Sequence, residues 1–225
     1  MFKLYLQRIV ARLPYKFQTE LKRIYYARQI KNGTFITTEP EYKVLHRFIS
    51  PGDLVLDIGA NVGHYAKRFS ELVGQRGRVI AFEPVPTTFY LLTANVQLFP
   101  YSNVTLLNTA VSDKLDIVAM SIPNSNTGAK DYYMAHIDET SESELSVLTL
   151  SLDQMFESQR VSLIKIDAES HEPFIMMGMQ KLIENHRPVL IIETKSDEIT
   201  DELISNGYDT LKFENSPNII FKPAD

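Results

Sequence analysis

Val55-Leu56-Asp57-Ile58-Gly59-Ala60-Asn61-Val62-Gly63 is the stretch on which the fold turns. An apolar run ends in a carboxylate, and two glycines follow with Ala60, Asn61 and Val62 between them. A short apolar run bounded by turn signals reads as a buried parallel strand. The glycines read as the tight turn beneath the next helix. Such a turn, at the carboxyl end of a parallel strand, is where open α/β sheets bind ligands. Gly59 lets the backbone approach a ligand, and Gly63 lets the helix pack close to the strand. Asp57 lies beneath the loop, where it orients the turn or accepts from a ligand ammonium. The spacing is not the G-x-G-x-x-G of dinucleotide sites, so a pyrophosphate matches it poorly.

Arg78-Val79-Ile80-Ala81-Phe82-Glu83 repeats the pattern of strand, then carboxylate. At a strand tip Glu83 can accept two hydrogen bonds from a ribose diol. Pro84 and Pro86 fix the chain just beyond it. Two carboxylates on neighbouring strand tips suit a ligand that carries both an amino group and a ribose, and S-adenosylmethionine carries both. Asn108-Thr109-Ala110-Val111 ends a third strand, whose tip in such a sheet lies near an adenine.

Outward from this centre the chain alternates. Strands are predicted at 54–57, 79–83 and 104–107, with helices at 64–73 and 86–99, the second opening at a proline. This is the βαβαβ rhythm of a doubly wound sheet. The rhythm changes between Ser112 and Thr149. There, strands at 116–122 and 146–150 flank the polar loop Asn124–Gly128 and the acidic turn 138–144, and a β insertion over the sheet's carboxyl edge is predicted. The parallel pattern then resumes. A short helix is predicted at 152–157, a strand at 162–167, one helix over 173–185, a strand at 188–193 and a helix at 196–206. A closing hairpin follows at 208–213 and 218–221. Ahead of the core, residues 1–31 read as helical, broken near Pro14 and stopped at Asn32-Gly33. A second helix is predicted over 41–49. The expected organisation is an arm with lead-in helix over 1–49 and one α/β domain over 50–225. Its sheet is mostly parallel, seven-stranded and closed by an antiparallel hairpin, with residues 112–149 inserted.

The bulk numbers bound the rest. At 225 residues with no cysteine, disulfides, thiolate metal sites and a cysteine nucleophile are excluded. No apolar run reaches the length of a membrane span. The start lacks the continuous apolar core of a secretory signal, so a protein that is cytoplasmic or peripheral to a membrane is expected. The net charge of −5 hides an asymmetry. Residues 1–31 hold eight cations against the single Glu20, a net of +7, which leaves −12 for the remainder. The basic, aromatic-rich arm reads either as packing on the domain's own acidic surface or as contact with an anionic membrane. The acidic remainder argues against nucleic acid as a partner.

Lys165, Asp167, Glu169, His171 and Glu172 form the densest polar cluster. Lys165 and Asp167 share a strand face by the two-residue period. A buried lysine needs a partner, and Asp167, Asp57 or Glu193 could supply it. The cluster reads either as an ion network holding strand ends or as an active-site floor with Asp167 or His171 as general base. Acidic oxygens at Asp167, Glu169 and Glu193 would suit a divalent metal, though no spacing demands one.

Phe82-Glu83-Pro84, Ala110-Val111-Ser112-Asp113, Asn126-Thr127-Gly128, Leu150-Ser151-Leu152-Asp153 and Lys165-Ile166-Asp167-Ala168-Glu169-Ser170-His171-Glu172 occur in the order seen in FkbM-type methyltransferases. With the Asp57–Gly63 loop and Ile191-Ile192-Glu193, the sequence resembles that family over roughly residues 33–222. The resemblance implies a class I methyltransferase fold that uses S-adenosylmethionine, with Asp57, Gly59, Ala60, Asn61, Gly63, Glu83, Pro84, Asn108, Ala110, Val111 and Asp167 around the cofactor. It implies methyl transfer to a hydroxyl of a sugar, glycan or natural product, with Lys165, Asp167, Glu169 and His171 at the reacting centre. The family pattern carries glycine where Ser170 stands, and this departure is expected to narrow or re-aim the pocket. The other reading is an inactive methyltransferase-like module recruited through its basic arm.

Overall fold

The structure is a computed structural model that describes residues 14–123, 135–137 and 145–224. The chain before Pro14, the polar loop Asn124–Gly128 and the acidic turn at 138–144 lie outside the described residues. Helix α1 (Tyr15–Lys31) follows Pro14 and stops at Asn32-Gly33, where Gly33 takes a φ of 69°. Helix α2 (Pro40–Val44) passes into a single 3-10 turn, Leu45–Arg47. The continuous helix expected over 41–49 is therefore shorter and tighter. Pro51 pushes Ser50 out of helical geometry, so the chain unwinds before the first strand.

The core follows as β1 (Leu54–Ile58), α3 (His64–Val73), β2 (Arg78–Phe82), α4 (Pro86–Val96) and β3 (Val104–Leu107). Four short strands come next: β4 (Ala110–Val111), β5 (Asp116–Ser121), β6 (His136–Ile137) and β7 (Leu145–Leu150). The chain ends with α5 (Leu152–Met155), β8 (Leu163–Ile166), α6 (Glu172–Met177), α7 (Gln180–His186), β9 (Val189–Glu193), α8 (Asp197–Ser205), β10 (Tyr208–Lys212) and β11 (Asn218–Pro223). The seven-stranded sheet runs β10-β11-β9-β8-β1-β2-β3. β11 alone runs against the direction of the other six strands. The strand order reverses between β1 and β8, which puts the topological switch point, and its crevice, at the tips of these two strands.

Both faces of the sheet are covered, which is why its strands read as continuous apolar runs. Leu56, Ile58, Ile80, Phe82, Ile164 and Ile166 face one core, built with α5 to α8. Val55, Val79, Leu163 and Ile191 face the other, under Tyr65, Phe69 and Val73 of α3. Ala81 on that side meets Leu91 and Leu92 of α4, with Tyr26 and Ile30 of α1 in the same cluster. The buried Glu41 carboxylate accepts from Tyr65 Oη at 3.2 Å, Ser216 Oγ at 2.8 Å and Asn218 Nδ2. It fastens the lead-in helix and α3 to the closing hairpin.

The insertion builds its own sheet, ordered β4-β7-β5-β6. Strand β4 pairs in parallel with β7, and β5 pairs antiparallel with β7 and β6. Ala110 and Val111, read in the sequence as a strand exit, are thus the first strand of a second sheet. The helix expected over 173–185 is two helices, broken at Gly178. Its carbonyl accepts from Ser151 Oγ and Asp153 N, each at 2.9 Å, and the Asp153 carboxylate in turn accepts from the backbone N–H of Lys181 and Leu182 in α7. A Cβ on residue 178 would lie 2.1 Å from the Ser112 carbonyl oxygen. The break lets the backbone of the core touch the root of the insertion. Gly178→Ala is therefore expected to destabilise the fold by about 1–3 kcal/mol through overpacking, read as a lower urea midpoint at unchanged slope.

Candidate functional site

The glycine turn forms because three alternate residues adopt left-handed backbone. Gly59 takes a φ of 73°, Gly63 a φ of 98° and Asn61 a φ of 51°. The N–H groups of Gly59 and Ala60 both donate to the Phe82 carbonyl, at 3.0 and 2.9 Å. The turn is thereby pinned to the end of β2. A Cβ on residue 59 would sit 1.9 Å from the Asp167 carbonyl oxygen, so the turn and the tip of β8 touch backbone to backbone. Gly63 lies deeper, where a Cβ would meet Leu92 at 2.7 Å. It serves helix packing.

Two clefts flank this turn. The first, open to solvent, is lined by Glu83, Pro84, Thr109, Ala110 and Val111 on one side and by Asp167, Glu169 and His171 on the other. Met120, Ala135, His136 and Ile137 of the insertion complete it. The second, of about 460 Å³, is lined by Thr37, Glu39, Asp57, Ala60, His64, Tyr65 and Lys165. Gly59, Asn61 and Asp167 line both.

Asp57 and Lys165 lie side by side in the β1–β8 register on the face that α3 covers. Lys165 is 2% exposed. Its ammonium donates to Asp167 Oδ2 at 2.9 Å and sits 4.7 Å from the centre of the Tyr65 ring. Burial pushes the Lys165 pKa down, but the Asp167 and Asp57 carboxylates outweigh it and hold the group above its ordinary value. Asp57 is fully buried, and neither of its oxygens closes a hydrogen bond among the described residues. Burial raises its pKa to about 6, against the pull of Lys165 and the nearby Ala66 N–H.

Glu83 is 5% exposed, and its two oxygens accept from the N–H of Asn61 and of Val85, both at 2.9 Å. The carboxylate thus ties the glycine turn to the start of α4 while still lining the cleft. Burial pushes its pKa up to about 7, with the two N–H donors opposing. Asn108 plays a different part from the one the sequence suggested. Its amide donates to the carbonyls of Glu83 and Pro84 at 2.8 and 3.0 Å, clasping the β2 tip from behind, and it does not line the cleft. Its neighbour Thr109 does, with a buried hydroxyl that has no partner among the described residues.

His171 stacks on Phe174 at 4.8 Å between centroids and places Nε2 2.9 Å from Ser112 Oγ. Ser112 Oγ donates to Asp113 Oδ1 at 3.0 Å. A serine has one hydroxyl hydrogen. If that hydrogen goes to Asp113, His171 must donate from Nε2, and its Nδ1 keeps the lone pair. Burial lowers the His171 pKa, with the Asp113 charge opposing, so the ring is held toward its neutral form. Ser112 stands 59 positions from His171, and no local pattern links the two.

The proposed metal donors do not converge. Glu193 and Glu169 line a third cleft with Ser170, Glu172, Thr194, Lys195 and Pro217, while Asp167 is bound to Lys165. Among the described residues no group of three or more His, Asp or Glu could hold a metal ion. Burial raises Glu193 to about 7, with the Asp167 charge adding to it. Ser170 faces this third cleft rather than the main one, and its N–H donates to Glu172 at 3.1 Å. Glu169 and Ser170 take φ of 43° and 74°, two adjacent non-glycine residues in the left-handed region.

A fold of this order with a glycine turn at its switch point has known counterparts. The model of the methyltransferase FkbM domain matches residues 57–210. The chain belongs to the FkbM family of S-adenosylmethionine-dependent methyltransferases. Among solved structures it is similar to an FkbM methyltransferase from Methylobacillus flagellatus, at 14% identity and a TM-score of 0.55, over 80% of this chain and 50% of that one. It therefore spans half the length of the Methylobacillus protein. It is also similar to a methyltransferase from Geobacter sulfurreducens, at 13% identity and a TM-score of 0.51, over 99% and 96% of the two chains. A third likeness is to a SAM-dependent O-methyltransferase from Thermotoga maritima, at 11% identity and a TM-score of 0.50, over 89% and 72%. At these identities the structures speak for the class I fold. No curated protein matches the sequence.

Two outcomes are expected from this geometry. Ser170→Gly removes a side chain from a left-handed position and should stabilise the fold by about 0.5–1 kcal/mol, measured by denaturant titration. Glu83 and Asp57 have raised pKa values in the folded chain, so between their ordinary values of 4.5 and 3.8 and the raised values of about 7 and about 6 the folded state holds protons the unfolded chain has released. Their contribution to stability is thus full below the ordinary values and lost as pH rises through the raised ones. The urea midpoint of the ligand-free protein should fall between about pH 5 and about pH 8, and fall less in Glu83→Gln. An equal fall in both proteins would show that Glu83 does not titrate in this window.

Proposed function

We propose that this chain transfers a methyl group from S-adenosylmethionine to a hydroxyl of a sugar, glycan or other small natural-product acceptor. The observation that carries the reading is that Glu83 and His171, one fit for a ribose and one for a proton, line the same cleft. The residues present suit the cofactor. Among the described residues, Asp57 has a buried carboxylate with no hydrogen-bond partner to offer an ammonium, Glu83 retains acceptor capacity for ribose hydroxyls, and Thr109 and Asn61 hold buried oxygens without partners. Ala110 and Val111 offer an apolar wall to a base. A ligand with a nucleoside at Glu83 and an ammonium toward Asp57 would straddle the Gly59 turn and occupy both clefts. The bound cofactor supplies an electrophilic methyl on a sulfonium.

The chain's own residues do the rest. Burial holds His171 toward its neutral form, in which a free Nδ1 can accept the proton that the acceptor hydroxyl loses. Ser112 and Asp113 then stabilise the imidazolium through Nε2. Asp167, which keeps one oxygen outside its bond to Lys165, is the rival base, with Glu169 beside it. Met120, Val85 and Ile137 make the cleft apolar where water would otherwise compete. Holding the hydroxyl in line with the methyl supplies much of the rate in a displacement of this kind.

The test is methyl transfer from labelled cofactor to a panel of sugars, glycans and phenolic acceptors. With an accepted substrate, His171→Ala should lower turnover about a hundredfold at nearly unchanged cofactor affinity. Asp167→Ala should lower both, since it also releases Lys165. Near-normal turnover in both variants would move the chemistry away from this cluster.

A further inference from the structure

Helix α1 carries apolar residues on two opposite faces. Thr19, Tyr26 and Ile30 are buried on the domain side. At a period of 3.6 residues, Phe17, Leu21, Ile24 and Tyr25 fall together on the far side. They are 63%, 44%, 48% and 57% exposed. Arg28 continues this stripe, and Lys16, Lys22 and Lys31 flank it, all exposed. These four cations make no ion pair among the described residues, whereas the arm's single acid, Glu20, is engaged by Arg23 at 2.8 Å and by the Tyr90 hydroxyl at 2.7 Å.

We propose that α1 is a surface-docking helix whose exposed stripe Phe17-Leu21-Ile24-Tyr25 seats on an anionic lipid bilayer, lying in the plane of the interface. Charge complementarity selects this occupant. The stripe is ringed by cations that make no ion pair among the described residues, and the sequence ahead of it adds Lys3, Arg8 and Arg12 with no acid. The remaining chain, at −12, is repelled by the same surface. The polarity therefore orients the molecule with α1 down. An apolar strip with aromatic residues and flanking Lys and Arg is the pattern of helices that lie on membranes. No helix of the described residues is long and apolar enough to cross one. The consequence reaches the site, because α1 leads directly into the segment that supplies Thr37 and Glu39 to the second cleft. Docking holds the reacting centre beside the bilayer, whatever acceptor it uses.

The test uses the full chain and sedimentation with vesicles of phosphatidylcholine containing about 30 mol% phosphatidylserine at about 0.1 M salt. The protein should sediment with these vesicles and not with pure phosphatidylcholine, and the bound fraction should fall several-fold as salt is raised. A Phe17→Ser, Leu21→Ser, Ile24→Ser triple variant, changed only at exposed positions, should bind at least tenfold more weakly with cofactor affinity and circular dichroism retained. Reversing Lys16, Lys22 and Arg28 to Glu should have the same effect. Absence of sedimentation, equal binding to neutral vesicles, or undiminished binding by the triple variant would each overturn the proposal. So would an oligomer of the unaltered protein that the triple variant dissociates, since the stripe would then join two copies of the chain.

Discussion

A single buried ammonium at the centre of the sheet governs the geometry of this protein. Lys165 sits in register beside Asp57, binds Asp167 at 2.9 Å and lies over the Tyr65 ring. Without its charge, carboxylates at the tips of two adjacent strands would repel each other in a region where water cannot screen them. With it, β1 and β8 can end together, and the Asp167 carbonyl can press against Gly59 closely enough to exclude any side chain there. The cleft exists because those strand tips are held at that separation. Tyr65 extends the same network outward, since its hydroxyl binds Glu41 and Glu41 binds Ser216 and Asn218 near the closing hairpin. An electrostatic requirement at the middle of the sheet thus connects to its far edge.

The insertion is the second determinant. It lays a small sheet across the carboxyl ends of the central strands, and its root at Ser112 touches both His171 and the core. Ser112 Oγ meets His171, and the Ser112 carbonyl meets the backbone of Gly178. The same residue therefore contacts the His171 ring through its side chain and the core through its backbone. This arrangement explains why α6 and α7 are separate. A continuous helix would engage the Gly178 carbonyl within itself and withhold it from Ser151 and Asp153.

Much of the fold was legible because its signals are local. The two-residue period put Lys165 and Asp167 on one strand face. Glycines with positive φ marked the turn at residues 59 to 63, and a proline marked the start of α4. Strand β3 and helix α3 have the bounds their sequences suggest. The position of Glu83 followed from the same reasoning, since a strand tip beside a glycine turn faces the crevice whatever the rest of the chain does. The family, too, could be read from motif order alone.

What the tertiary structure decided is which side chains meet across long stretches of sequence. Asn108 and Thr109 are neighbours at one strand exit, yet the first turns behind the β2 tip and the second into the cleft. Only the packing of β2, β3 and β4 settles that choice. Glu83 was expected to keep its oxygens for a ligand, but the glycine turn brings the Asn61 N–H onto one of them. Asp167, Glu169 and Glu193 looked like a shared donor set, but Asp167 and Glu193 line separate clefts, and Glu169, on left-handed backbone between them, borders both. Ser112 and His171 belong to separate motifs that the insertion and α6 bring within a hydrogen bond. The sequence by itself determined the strands, the turns and the residue types at the strand tips, because period and backbone sterics act over a few residues. The partners of those residues were decided only by packing, because hydrogen bonds and ion pairs depend on where distant segments come to rest.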